Sequence, residues 1–221
     1  MFISYLSLEG VNPKYKSKCF EIGNIIRQEI LELSKIDYQS DTKKINFLIL
    51  GGSQAAKVFA EKLPEIFKLC VDKKIKIKIY QQCLINQNKK LEYNYKLFGV
   101  EYEIFNFSHN ISKYFVKADI AITRSGSSML AELLNCKIPI INIPLPSSAD
   151  NHQLKNAQYF EKKGYGYLIE EKNLEEKLFP LIKSIHEDKN LLNQMKKNQS
   201  TFSDKKVYEK IDNQIKELIY E

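Results

Sequence analysis

Residues 45–54 read INFLILGGSQ. An apolar, partly β-branched run ends in two glycines, and a serine and a glutamine follow where a helix should begin. The run has the character of a strand buried on both faces. A Gly-rich turn after it leaves backbone N–H groups aimed above a helix N-terminus, an arrangement that suits an anionic group, most often phosphate. The glycines allow the sharp turn and the close approach of a ligand to the backbone. A tight structural turn is the competing reading of the same residues.

Outward from this stretch the same pattern repeats. Apolar runs near 45–50, 75–80, 101–105, 119–123, 138–143 and 165–169 read as strands. Amphipathic stretches at about 54–70, 87–98, 110–117, 127–136 and 151–163 read as helices between them. Strands alternating with helices predict an α/β fold, a Rossmann-like parallel sheet with helices on both faces. Ligands of such sheets bind beyond the carboxyl ends of the strands, which gathers the loops at 51–54, 106–110, 124–128 and 144–153 on one rim. Helical stretches at 173–199 and 204–220 follow. The last places Val207, Ile211, Ile215, Leu218 and Ile219 on one face, in need of a partner surface. Residues 1–40 hold a helix around 25–35 and no complete βα series. The expected organisation is therefore a leading piece that looks like the end of something rather than a domain (1–40), a hinge within 34–44, a Rossmann-like domain (41–203) and a C-terminal amphipathic helix (204–221).

Composition narrows the classes. The 221 residues carry a net charge of +7 with 43% hydrophobic residues, a globular rather than disordered balance. The lysines are scattered, and no RNP, zinc-finger or helix-turn-helix signature accompanies them, so a nucleic-acid partner is not expected. No apolar run approaches the roughly 20 residues needed to span a bilayer, and MFISYLSLEG lacks the features of a signal peptide. Cys19, Cys70, Cys83 and Cys136 form no CxxC pair or zinc pattern, which fits a reducing compartment. His109, His152 and His186 build no metal site, and no cofactor is expected.

Arginine is scarce: only Arg27 and Arg124 occur among 34 basic residues. A planar, bidentate, permanently charged donor has to be arginine, so both are candidates for specific work. Thr123-Arg124-Ser125-Gly126-Ser127-Ser128 ends a strand and opens a helix; Ser127 or Ser128 can cap it or donate to a phosphate. Glu132, about a turn further on, can accept from two ribose hydroxyls or can simply favour the helix dipole. In the third loop Pro144 and Pro146 enforce rigidity, Asp150 is an N-cap candidate, and Gln153 and Asn156 offer amides for sugar hydroxyls. His152 reads as a structural donor sooner than a base. Arg27, on a turn leading into a short helix, could neutralise a diphosphate leaving group, or simply be a solvent-exposed helix arginine.

Taken in order, GGSQ (51–54), Phe107 and Ile111 before Tyr114-Phe115-x-x-Ala118-Asp119, RSGSSxxxE (124–132), IPLPxxxDNHQ (143–153) and Asn156-Ala157 resemble the MurG family of bacterial glycosyltransferases, and GNIIRQEI (23–30) resembles its G-N-P-V-R-x-E-I segment. The resemblance covers most of residues 20–200. It implies the C-terminal, donor-binding domain of a GT-B fold, and transfer of N-acetylglucosamine from its UDP donor to the undecaprenyl-pyrophosphoryl-muramyl-pentapeptide acceptor in peptidoglycan synthesis. By the same resemblance Arg27, Ser53 and Gln54 meet the diphosphate, Phe107, Ser108 and Ile111 line the uracil wall, and Ser127, Ser128, Met129, Leu130, Ala131 and Glu132 form the diphosphate and ribose loop. Gln153, with Asn156 nearby, reads the sugar, and Arg124 shapes its loop. The family's pattern departs at Ala55, Ile25 and Met129, where glycine, proline and threonine are usual. Its G-G-T-G-G-H acceptor loop, with the histidine proposed as base, has no counterpart here, so no catalytic base is assigned. The expectation is a donor half that works with a separate acceptor half at the cytoplasmic face of the inner membrane; the alternative is a nucleotide-sugar-binding module, truncated or split, without turnover. A UDP-sugar hydrolase of similar fold is a further reading.

Overall fold

The computed structural model describes residues 2–3, 12–16, 19–33, 35, 44–52, 57–108, 110–202, 204 and 206–220. A two-residue parallel pairing of β1 (Phe2–Ile3) with β2 (Phe20–Glu21) flanks α1 (Pro13–Lys16), and α2 (Gln28–Leu33) follows. The main body then alternates: β3 (Ile45–Leu50), α3 (Lys57–Asp72), β4 (Ile77–Gln82), α4 (Asn88–Leu97), β5 (Glu101–Phe105), α5 (Ser112–Phe115), β6 (Ile120–Thr123), α6 (Ser127–Asn135), β7 (Ile140–Asn142), α7 (His152–Lys162) and β8 (Gly166–Leu168). Helices α8 (Leu174–Glu187), α9 (Asn190–Gln199) and α10 (Val207–Tyr220) close the chain.

The six strands β3–β8 pair in parallel in the order β5-β4-β3-β6-β7-β8. This is the doubly wound order in which the chain starts in the middle, runs to one edge, and returns to run to the other. Its switch point lies between β3 and β6, so the turns after Leu50 and Thr123 diverge and leave a crevice between them.

The alternation of β3 explains the two layers. Ile45, Phe47 and Ile49 face a cluster built with Phe59, Leu63 and Phe67 of α3, Leu91 and Tyr95 of α4, and Leu178 and Ile182 of α8. Leu48 and Leu50 face the opposite cluster, with Ile30 of α2, Phe115 of α5, Leu130, Leu133 and Leu134 of α6, and Phe160 of α7. Side chains this buried contribute about 1.5–3 kcal/mol each relative to exposure. A buried polar pairing braces β3 at the sheet: Asp119 Oδ2 accepts from both the backbone N–H of Asn46 (2.8 Å) and its side-chain amide (2.9 Å).

The short N-terminal strip is bound to this body. Ile26, Ile30 and Leu31 belong to the second core. Buried Asp204 accepts from Asn24 N–H (2.9 Å) and Asn135 Nδ2 (2.8 Å), while its own N–H donates to Asn135 Oδ1 (2.9 Å). Gly23 sits at φ +91° with its missing Cβ directed at Asp204 Oδ1, so a side chain there meets both backbone strain and a clash.

Every strand and helix expected of the main body is present within a few residues. The 173–199 stretch divides into α8 and α9, with Asp188 in extended conformation between them. Asp150 is not the N-cap of α7: it sits at φ +49° in a 3-10 turn over 149–151, and Asn151, itself left-handed at φ +53°, takes the cap position without a side-chain cap bond. On α10, Val207 is buried while Ile215 and Ile219 are exposed; the side chain of Leu218 lies outside the described residues. So does nearly all of the expected hinge over 34–44, of which only Lys35 and Lys44 are described.

Candidate functional site

A cleft of about 1650 Å³ opens at the switch point. Its walls come from the turn after β3 (Gly51, Gly52), the segment after β5 (Phe107, Ser108, Ile111), the turn and first turn of helix after β6 (Arg124, Gly126, Ser127, Ser128, Met129, Glu132) and the start of α7 (His152, Gln153). Arg27 and Glu29 enter from the N-terminal strip. Gly52 holds φ +76°, a conformation that glycine adopts without steric cost. Ser53, Gln54 and His109 lie outside the described residues.

Helix α6 aims its N-terminus into the cleft. Gly126 is its cap residue, with extended backbone and no side-chain cap bond, and the first turn holds no acidic residue. Neither serine caps the helix, which leaves the N–H groups of its first turn for an acceptor in the cleft. Leu130 and Ala131 do not line it: both are about 1% exposed and pack in the second core. Their place in the RSGSSxxxE segment is structural, because positions on that side of the helix must face the sheet.

The loop that carries this helix is fixed from behind. Arg124 donates through Nη1 to the carbonyls of Ile143 (3.1 Å) and Pro144 (3.2 Å), and through Nη2 to Glu171. Its guanidinium also lies 5.0 Å from the Phe59 ring centroid. Gln153 Oε1 accepts from Ser125 N–H (3.2 Å) and Leu145 N–H (3.0 Å). Asn156 Nδ2 donates to the Ser125 carbonyl (2.9 Å). Asn156 is buried and off the cleft wall, so it holds the loop rather than meeting a sugar directly. Gln153 remains on the wall, and its amide nitrogen has no partner among the described residues. His152 Nδ1 lies 2.8 Å from the Ala149 carbonyl and must donate to it, the structural part expected of it.

Arg27 and Glu132, expected to hold different portions of a ligand, hold each other. Arg27 Nε and Nη2 each lie 2.7 Å from one Glu132 oxygen, a two-point pair, and Nη1 lies 3.0 Å from Glu29. The hydrogen bonds to Glu132, against the opposing effect of burial, raise the Arg27 pKa above its ordinary value. The carboxyl side chain of Glu132 is 9% exposed, that of Arg27 42%. Residues that motif reading did not single out here are Glu29, Glu171 and Asp204. Glu29 had a signal, its place two residues beyond an arginine at a helix start; the partners of Glu171 and Asp204 are distant in sequence and left none.

Residues 46–211 match the model of the glycosyltransferase family 28 C-terminal domain. The chain belongs to this family. Among curated relatives it is 34% identical to a UDP-N-acetylglucosamine–N-acetylmuramyl-(pentapeptide) pyrophosphoryl-undecaprenol N-acetylglucosamine transferase of Pelagibacter ubique, over 94% of this chain and 58% of that protein. A Rickettsia canadensis protein of the same description is also 34% identical, over 78% of this chain and 49% of its own length. The resemblance to the MurG family is thereby borne out, and the chain spans about half the length of the curated relatives it matches. Among solved structures, Acinetobacter baumannii MurG superposes with a TM-score of 0.73 at 22% identity, over 88% of this chain and 56% of that one. The S. aureus MnaA–UDP co-structure gives 0.65 at 16% identity, over 94% of this chain and 56% of that one. At these identities the structures establish the fold, that of one Rossmann-like domain of GT-B proteins, as the sequence resemblance implied.

No cluster of three or more His, Cys, Asp or Glu residues suited to a metal exists among the described residues. Nor is any described helix long and apolar enough to cross a membrane.

Proposed function

We propose that this chain is the donor-binding half of an inverting glycosyltransferase. In this reading it moves N-acetylglucosamine from UDP-N-acetylglucosamine to undecaprenyl-pyrophosphoryl-N-acetylmuramyl-pentapeptide, in company with a half that carries the acceptor. The observation that carries the reading is the cleft itself, where a glycine turn, an uncapped helix N-terminus, a carboxylate one turn on and an arginine meet at the switch point. The names of the curated relatives supply the sugar and the acceptor.

The division of labour follows from the chemistry. Backbone N–H groups of Ser127, Ser128 and Met129 face the diphosphate and take up charge as UDP departs. Glu132 accepts from the ribose hydroxyls. Ser108 and Ile111 border the base, and Gln153 presents its amide N–H to the sugar. Ser53 and Gln54 belong with the diphosphate contacts. Deprotonation of the acceptor hydroxyl, which attacks the anomeric carbon with inversion, needs a base that the acceptor half would contribute. Residues 1–40 act as the end of that half and the hinge, 41–203 as the UDP-sugar domain, and 204–221 as a packing helix. The net positive charge suits an anionic, cytoplasmic membrane face.

The reading is tested by thermal unfolding with nucleotide. UDP and UDP-N-acetylglucosamine should raise the melting temperature by ligand linkage, and Glu132→Ala should shrink the shift. No shift at saturating UDP would refute it. The chain alone should transfer no sugar to the lipid acceptor; measurable turnover would remove the need for an acceptor half, and nucleotide binding that gains no turnover with any acceptor half would favour a binding module.

A further inference from the structure

The cluster Arg27–Glu132–Glu29 raises a question that the proposed site does not answer. A guanidinium that should attract a diphosphate is already held by two carboxylates, through Nε and Nη2 on Glu132 (2.7 Å each) and Nη1 on Glu29 (3.0 Å). Within the cluster one positive charge meets two negative ones, a balance that opposes the approach of a phosphate to Arg27.

Resting on the nucleotide reading above, we infer that this cluster makes capture of the diphosphate conditional on capture of the ribose. Glu132 is the inner member, with its side chain 9% exposed, whereas Arg27 and Glu29 are 42% and 41% exposed. The mobile partner is therefore the arginine. If Arg27 swings toward a phosphate, both Glu132 oxygens lose their donors, and a poorly solvated carboxylate left without donors is costly. A ribose removes that cost, because its two hydroxyls donate to the same two oxygens. The exchange then conserves hydrogen bonds at Glu132 while it frees Arg27 for the diphosphate. Inorganic pyrophosphate and free phosphate bring no such donors, so the swap stays unfavourable for them. Glu29, 41% exposed, turns away at little cost and holds Arg27 less firmly than Glu132 does. The device selects nucleoside diphosphates over free pyrophosphate, although both carry the group that the α6 N-terminus would bind.

The test is calorimetric titration of the whole chain with UDP and, separately, with inorganic pyrophosphate. In Glu132→Gln the negative charge is lost and one of the two acceptor oxygens becomes an NH2 donor facing a guanidinium N–H, so the two-point hold on Arg27 is broken. Pyrophosphate should then bind about tenfold tighter while UDP binds about tenfold weaker, opposite changes that simple damage to the site does not produce. Adding Arg27→Ala should erase the pyrophosphate gain. Glu29→Gln, at an exposed position, should give a smaller gain of roughly threefold and serves if Glu132→Gln fails to fold. UDP binding by the native chain together with unchanged or weaker pyrophosphate binding in both Glu→Gln variants overturns this inference alone. Absence of UDP binding by the native chain overturns both it and the functional reading.

Discussion

The two arginines of this chain both line one cleft and are held differently. Arg124 is 11% exposed, and its guanidinium is fixed by two backbone carbonyls, Glu171 and the face of Phe59. Arg27 is 42% exposed, and among the described residues its guanidinium is bound only by carboxylates. Backbone carbonyls cannot move away without rebuilding the loops after β7, so Arg124 is part of the scaffold. Exposed side chains can exchange partners, so Arg27 is available to a ligand. The same residue type is thus a rivet in one place and an exchangeable contact in the other, and what distinguishes them is the exposure of the guanidinium itself and whether backbone carbonyls are among its acceptors.

The largest effect should come from breaking the rivet. Arg124→Ala strands two loop carbonyls and Glu171, and is expected to destabilise the chain by about 3 kcal/mol, the scale of a broken buried ion pair, read as a lower urea midpoint. Arg27→Ala leaves Glu132 without its two donors, but water can enter where the 42% exposed guanidinium stood, so the loss should be smaller, about 1.5 kcal/mol, with reduced UDP affinity. Equal losses of stability in the two variants would erase the contrast.

Next in size is the anchor of the strip that carries Arg27. Asp204→Asn keeps one acceptor and turns a donor toward Asn24 N–H or Asn135 Nδ2; Asn135 cannot flip without losing Asp204 N–H. A loss of about 2 kcal/mol is expected. Burial raises the Asp204 pKa, against the lowering effect of its hydrogen bonds from Asn24 and Asn135. A carboxyl that holds its proton more tightly folded than unfolded stabilises the fold most below the ordinary value of 3.8. That contribution declines as pH rises from there through the folded value. Urea midpoints from pH 3 upward should show this decline in the native chain and a flatter profile in Asp204→Asn.

How much of this was readable in advance follows from the range of the interactions involved. The six strands and their order of appearance are carried by local apolar runs, and INFLIL shows its two-sided burial directly. The site loops are carried by small residues at strand ends, so Gly52, Gly126, Ser127 and Glu132 could be nominated from one linear motif each. Partner choice was not legible. Nothing near Arg27 in sequence says that its acceptor is Glu132, 105 residues away, and nothing near Asn24 points to Asp204. Leu130 and Ala131 were nominated with their motif because a motif does not distinguish which helical positions face the cleft; burial does. Asn156 failed for a related reason, since an amide fit to read a sugar is equally fit to hold a loop, and its donation to the Ser125 carbonyl decides for the loop.

Gln153 stands between the two kinds of contact and gives the finest test. Its carbonyl oxygen belongs to the scaffold, accepting from Ser125 and Leu145 N–H, while its amide nitrogen has no partner among the described residues and the residue lines the cleft. Gln153→Glu keeps an acceptor for both backbone donors, so stability should change by no more than about 0.5 kcal/mol. It removes the one donor the residue can offer a sugar. The added charge weakens every diphosphate ligand alike, so the informative quantity is a ratio. UDP-N-acetylglucosamine affinity relative to UDP should fall by about threefold, the scale of a single modest hydrogen bond. Gln153→Ala should lower the same ratio and, unlike Gln153→Glu, also lower the melting temperature, because it releases the loop. If the ratio is unchanged in both variants, Gln153 belongs wholly with Arg124 and Asn156 as part of the loop's support, and the sugar is read elsewhere on the cleft wall.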